Sequence, residues 1–311
     1  MSLTIVGGVK NRSSSNSSSS IVVGSEKRRT DPWRVSSENS RKIYKVGDHI
    51  TCTRVGHYTD IKDVAEEVAN QCRGMNVRDT ACKLQDAILD KYRTAPGFFD
   101  HIVTHSVFHD PRAMFTMTST EFTYPKDGRP RIKIEYEHGL EVEVIIGGEK
   151  ERGIVEKDIE PFEIGRLIIA GYDAGDPIPK FYFGDLAGKV EPIADFDDSG
   201  CGIVASGYPF VYNKLVGFAP GTTFNTKRYP LLSDPNVVKQ MLDALRFKFD
   251  WKKITQEQMI SFIEQVIKIS ALMENMAVRK QYELVAGIND KVEIATIDPH
   301  NGFQWVKKYD E

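Results

Sequence analysis

The stretch from Ile21 to Asp60 constrains this chain more than any other. It begins with Ile21-Val22-Val23-Gly24, an apolar, β-branched run without polar alternation, and such a run reads as a strand covered on both faces. Ser25 follows, then the carboxylate of Glu26, the basic cluster Lys27-Arg28-Arg29 and Thr30. The segment from Thr30 to Arg41 is polar and irregular. A second apolar segment then opens on a lysine, Lys42-Ile43-Tyr44-Lys45-Val46, and Gly47-Asp48 turns it into a partner strand, His49 to Val55, that runs into Gly56. Asp60 stands at the head of an amphipathic helix with Ile61, Val64, Ala65 and Val68 on one stripe.

The flanking chain supplies the remaining layers. Met1 to Lys10 reads as a strand, and Arg12 to Ser20, almost all serine, as a surface loop joining it to the apolar run. A second helix is expected from Val77 to about Arg93, with Ala81, Leu84, Ala87, Ile88 and Tyr92 inward. Glu121–Tyr124, Arg131–Tyr136 and Leu140–Ile146 alternate polar and apolar side chains, which predicts an antiparallel ribbon, and part of the 94–160 stretch is expected to give a strand to the main sheet. Leu167–Asp173 is a buried strand, Lys180–Phe183 its follower, and Ile203–Tyr208 leads toward a helix through Val211 and Leu215. Another short helix follows Asp234-Pro235. Thr255-Gln256-Glu257-Gln258 has the capping-box pattern and opens the longest helix, Gln256 to about Val278. Its apolar positions, Met259, Ile263, Val266, Ile267, Ile269 and Leu272, predict that most of its girth is buried. Tyr282–Gly287 and Val292–Ile297 close the chain as strands.

Composition narrows the function classes. A formal net charge of −3 over 311 residues gives no global reason for nucleic acid or an anionic membrane as partner. No run approaches the roughly 18 apolar residues of a membrane span, and the first ten residues lack a signal-peptide core, so a cytoplasmic protein is expected. Cys52, Cys72, Cys82 and Cys201 form no C-x-x-C pair and read as reduced core thiols. His101, His105 and His109 lie four residues apart among residues that favour extended structure, which separates them too far for a metal pair. Asp195, Asp197 and Asp198 beside Gly200 read as a polar turn. With no phosphate loop, dinucleotide fingerprint or H-E-x-x-H, no cofactor and no metal is expected.

The block from Glu26 to Asp60, followed by Gly171-Tyr172-Asp173 and Ala205-Ser206-Gly207 in order, resembles proteasome β subunits and the related HslV-type peptidases. The resemblance implies an α+β, four-layer αββα sandwich of N-terminal-nucleophile type. It would be one domain over 1–311, with insertions at about 94–160 and 216–250. It also implies a peptidase or amidohydrolase acting on peptides or proteins, with the first residue of the mature chain as nucleophile and its α-amine as base. Removal of Met1 would expose Ser2, and Thr4 is the alternative. A gapless match of Ile5-Val6-Gly7 puts Leu3 at the nucleophile's position, and Ser2 and Thr4 share the opposite strand face.

The same resemblance makes Lys42 the lysine beside the nucleophile, paired with Glu26 where the family has Asp, and Gly56 the oxyanion-hole amide. Ser206 and Glu283 are its supporting polar partners, with Ala286 standing where the family has Ser. Arg54, at the floor of the specificity pocket, would favour an acidic side chain, with Thr30 a second substrate contact. Noncatalytic family members also keep such a lysine and often carry Glu-Lys-Arg here. A silent ring or scaffold subunit, and a proteasome-related transpeptidase, are therefore the alternative functions. A homo-oligomer or ring, with an unfoldase partner, is the expected assembly.

Overall fold

Two buried apolar runs seed two sheets. The computed structural model describes residues 3–10, 19–31, 34–37, 39–56, 61–94, 117–123, 131–136, 144–146, 149–151, 155–158, 165–185, 189–207, 249–281 and 289–308, and the structural statements here concern these. In chain order the elements are β1 (Leu3–Lys10), β2 (Ser19–Glu26), β3 (Arg29–Asp31), β4 (Arg34–Ser37), β5 (Ile43–Gly47), β6 (Ile50–Gly56), α1 (Lys62–Gln71) and α2 (Val77–Thr94). There follow β7 (Met117–Thr123), β8 (Arg131–Tyr136), β9 (Val144–Ile146), β10 (Glu149–Glu151), β11 (Val155–Asp158), β12 (Gly165–Gly171), β13 (Lys180–Asp185), β14 (Val190–Pro192) and β15 (Gly202–Gly207). The chain closes with α3 (Gln256–Gln281), β16 (Val292–Asp298) and β17 (Gly302–Lys307).

The protein is mixed α/β, with two five-stranded antiparallel sheets and few helices among the described residues. The first sheet runs β15-β1-β2-β16-β17, the second β14-β13-β12-β6-β5. β2 is buried at every position, as an uninterrupted apolar run between two layers should be. One layer is α3, whose Met259, Ile263, Val266 and Ile267 pack on Leu3, Ile5, Val22 and Ile294. The other is the second sheet, where Val6, Ile21, Val23 and Ala295 meet Ile43, Ile168, Ala170 and Phe181. Each fully buried aliphatic side chain of this kind stabilises by about 1.5–3 kcal/mol relative to exposure. On the second sheet, α1 contacts β5 and α2 contacts β12, β13 and β14. The capping box forms: the Thr255 N–H donates to Gln258 Oε1 at 2.9 Å, and the Gln258 N–H to Thr255 Oγ1 at 3.3 Å.

Several expectations are corrected. The segment after Thr30 is not irregular throughout, because Thr30 pairs with Val35 in the short β3–β4 ribbon. α3 is not buried around its girth: Ile269 is 42% exposed and Leu272 60% exposed, on a side away from the face packed on β1, β2 and β16. In α2 the inward set includes Gln85 and Leu89, while Ala87 is only partly buried. Cys82 is an exposed thiol, not a core one. The described strands between 117 and 158 pair only with one another and give none to either large sheet. β14 and β17, both edge strands, had no counterpart in the sequence reading. The expected helices near 211 and 234, the strand at 282–287 and the three histidines at 101–109 lie outside the described residues. No described helix is long and apolar enough to cross a membrane.

Candidate active site

The start of β1 lies against the end of β2, and this junction collects the charged residues. Thr4 pairs with Ser25 of β2 on one side and Ser206 of β15 on the other. β2 ends at Glu26, whose side chain is fully buried. β5 begins at Ile43, so Lys42 enters at the edge of the second sheet, only 2% exposed. The Lys42 ammonium donates to Glu26 Oε1, and to the Arg28 carbonyl at 2.6 Å. Glu26 also accepts from the Arg28 N–H (2.6 Å, Oε2) and from the Leu3 N–H (3.3 Å, Oε1). The extra methylene of Glu relative to Asp therefore still lets the carboxylate reach the lysine.

Burial dominates both titrations. It pushes the Glu26 carboxyl up from its ordinary value, against the attraction and hydrogen bond of Lys42 and the two backbone N–H groups. It pushes the Lys42 ammonium down, against the attraction of Glu26, with the Arg54 charge pushing the same way as burial and Glu293 opposing it. The lysine proton is thus loosened by the interior and held by one carboxylate. Such a group can present positive charge to a neighbouring nucleophile with little reorganisation.

The remaining predicted residues fall into three groups. Thr4 is 0% exposed, and its hydroxyl donates to the Gly24 carbonyl at 3.1 Å and meets Thr53 Oγ1 at 2.6 Å. Because a hydroxyl has one proton, Thr53 is the donor of the second bond. The Thr4 hydroxyl therefore joins the two sheets. Ser206, 8% exposed, is the strand partner of Thr4, and Gly56 ends β6 opposite Gly165. Ser2 and Glu283, with Ala286, lie outside the described residues, and for Thr30 only the backbone is described.

Arg54 is 4% exposed. Its guanidinium donates to Tyr44 Oη (3.0 Å), Ser40 Oγ (3.2 Å) and the Arg41 carbonyl (3.4 Å). Its own N–H donates to the Lys42 carbonyl at 3.2 Å. These bonds grip the chain on either side of Lys42. Two residues of the charged layer escaped the sequence reading: Lys27 and Glu293 form an ion pair at 3.0 Å, each side chain 1% exposed. The available signal was Glu293 itself, a carboxylate inside the largely apolar strand Val292–Ile297, which must be paired if buried.

The proteasome subunit family model matches residues 16–90, from the approach to β2 into α2. That span holds Glu26, Lys42 and Gly56. Over that span the chain is similar to proteasome subunits. A comparison with curated proteins gives no match.

Proposed function

Taking the chain as proteasome-like, we propose that it is an N-terminal-nucleophile peptidase or amidohydrolase whose mature chain begins at Ser2. One observation carries this reading. The Leu3 N–H, the atom through which residue 2 joins β1, donates to the same Glu26 oxygen that holds the Lys42 ammonium. The first described residue of β1 is therefore tied to the carboxylate that holds a buried, positioned lysine.

In the proposed reaction the Ser2 hydroxyl gives its proton to its own free α-amine as Oγ bonds to the peptide carbonyl carbon. Lys42 stays charged and, held by Glu26 and the Arg28 carbonyl, stabilises the developing negative oxygen of the nucleophile. The Gly56 N–H is assigned to the carbonyl oxyanion. Collapse breaks the C–N bond, and the α-ammonium returns the proton to the leaving amine. Water then attacks the ester, and its hydroxyl goes to the acid product while its remaining proton regenerates Ser2. Ser206 and Glu283 would steady the α-amine.

The layering of α3, two sheets and α1–α2 is read as the four-layer αββα sandwich of this superfamily, in one domain. Proteasome subunits generally assemble into rings, and a cytoplasmic homo-oligomer acting with an unfoldase follows by analogy. A β-lactone or epoxyketone probe tests the activity. One adduct on Ser2 is the expected result, and an unlabelled, folded, assembled protein would remove it.

A second reading has its own observation. Leu3, at the nucleophile's place in the gapless match, buries its side chain under α3, and the Thr4 hydroxyl is sealed between the sheets. These favour a silent ring or scaffold subunit that retains the lysine for structure. Equal stability of the Ser2→Ala protein with unchanged biological output would favour this reading.

A further inference from the structure

We propose that Lys27 and Glu293 are positioning residues for Lys42: their ion pair, buried beside the first one, holds the Glu26–Arg28 segment closed around the Lys42 ammonium. The proposal rests on the role assigned to Lys42 above. Two acceptors of that ammonium, the Glu26 carboxylate and the Arg28 carbonyl, belong to residues that flank Lys27. Past the end of β2 the segment has no strand of its own until Arg29, so something else must fix its course. Lys27 does so with every group it has. Its N–H donates to the Lys291 carbonyl (3.1 Å) and to Asn289 Oδ1 (3.1 Å), and its carbonyl accepts from the Ser40 N–H at 2.7 Å. Its side chain crosses to Glu293 on β16, opposite Ser25.

The pair is an unusual thing to bury for stability alone. Two desolvated charges are often no better than apolar side chains of the same volume, whereas removing one partner leaves a costly lone charge. Burial raises the Glu293 carboxyl above its ordinary range, against the Lys27 ammonium 3.0 Å away and the charges of Arg41 and Lys308. Around Lys42 the pair adds Glu293 to a layer that already holds Glu26 and the Arg54 guanidinium. Glu293 thus offsets part of the Arg54 charge, and Lys27 fixes the loop that supplies the ligands of Lys42.

The test uses the full chain with two readouts. Reductive methylation with formaldehyde and cyanoborohydride, read at Lys42 by peptide mass spectrometry, reports how firmly the ammonium is held whether or not the protein is active. The rate of β-lactone labelling reports the proposed reaction. Glu293→Gln is expected to raise Lys42 methylation several-fold and to slow β-lactone labelling by on the order of tenfold to a hundredfold, the range for a displaced catalytic group. Glu293→Asp should fall between it and the natural protein, and the Lys27→Glu/Glu293→Lys exchange should recover most of the loss. If Glu293→Gln does not fold, Glu293→Asp carries the comparison. Folded variants with natural rates in both assays overturn the proposal. Methylation that responds in a protein the β-lactone never labels leaves the positioning role standing and removes the hydrolase reading instead.

Discussion

The two ends of β1 are built on opposite principles. At its start, around Leu3 and Thr4, the interior holds two ion pairs, Glu26–Lys42 and Lys27–Glu293, together with Arg54 and the Thr4–Thr53 hydroxyl contact. Toward its finish the backbone itself is the packing surface. A Cβ on Gly8 would collide with the Gly200 carbonyl oxygen, and Gly200 turns at φ +73° with Pro179 against it. That turn is laced by Asp197, whose Oδ1 accepts from the Ser199 N–H, the Ser199 hydroxyl and the Cys201 N–H. The contrast teaches that one strand can serve two purposes. Its apolar, glycine-seamed end contributes stability, and its charged end maintains an arrangement that stability alone does not call for.

The largest expected effect separates these purposes. Lys42→Met should cost about 3–5 kcal/mol, because it leaves Glu26 alone in the interior, while Lys42→Met/Glu26→Met should return to near natural stability and remain unlabelled by a β-lactone. Denaturant titration of the two variants checks this. A double variant as unstable as the single one would mean that the pair itself holds the fold. Next, Gly8→Ala should lose stability at the upper end of about 1–3 kcal/mol, since the clash is with backbone that cannot rotate away. A natural denaturation midpoint for it would break the claim that this end is close-packed.

Thr53→Val should cost about 1 kcal/mol, the value of one buried hydrogen bond, because Thr4 still donates to Gly24. Thermal melting with unchanged labelling by the probe is the expected pair of results. The smallest effect is pH-dependent. Burial would raise the Asp197 carboxyl, but the Ser199, Cys201 and Lys252 hydrogen bonds prevail and hold it down to about 2, below its ordinary 3.8. A carboxylate depressed in the folded state contributes stability above the unfolded value, and loses it as pH falls through the folded one. The melting-temperature gap between the natural protein and Asp197→Asn should therefore be constant above pH 3.8 and close as pH approaches 2. A gap that does not change over this range would show that the turn does not depend on the ionised carboxylate.

Much of this arrangement was legible in the sequence because it is local or periodic. The unbroken apolar run at Ile21 announced a doubly covered strand, Thr255 and Gln258 announced a helix start, and the spacing of Glu26, Lys42 and Gly56 carried the resemblance. What stayed hidden depends on distant partners. Ile269 and Leu272 have the apolar character of core residues, but nothing in one helix says which of its faces a sheet will cover. Arg54 read as a substrate contact, because sequence cannot show that Ser40, Arg41 and Tyr44 fold back to occupy its guanidinium. Lys27 looked like one member of a basic cluster until β16 brought Glu293 to it.

The measurement that bears most directly on the central claim is the intact mass of the purified chain before and after treatment with a β-lactone, followed by peptide mapping. A Lys42–Glu26 pair that serves the residue just ahead of β1 predicts a chain beginning at Ser2 and a single adduct on Ser2, abolished by Lys42→Met. A chain that retains residues ahead of Ser2, or a folded protein with no adduct there, would contradict it.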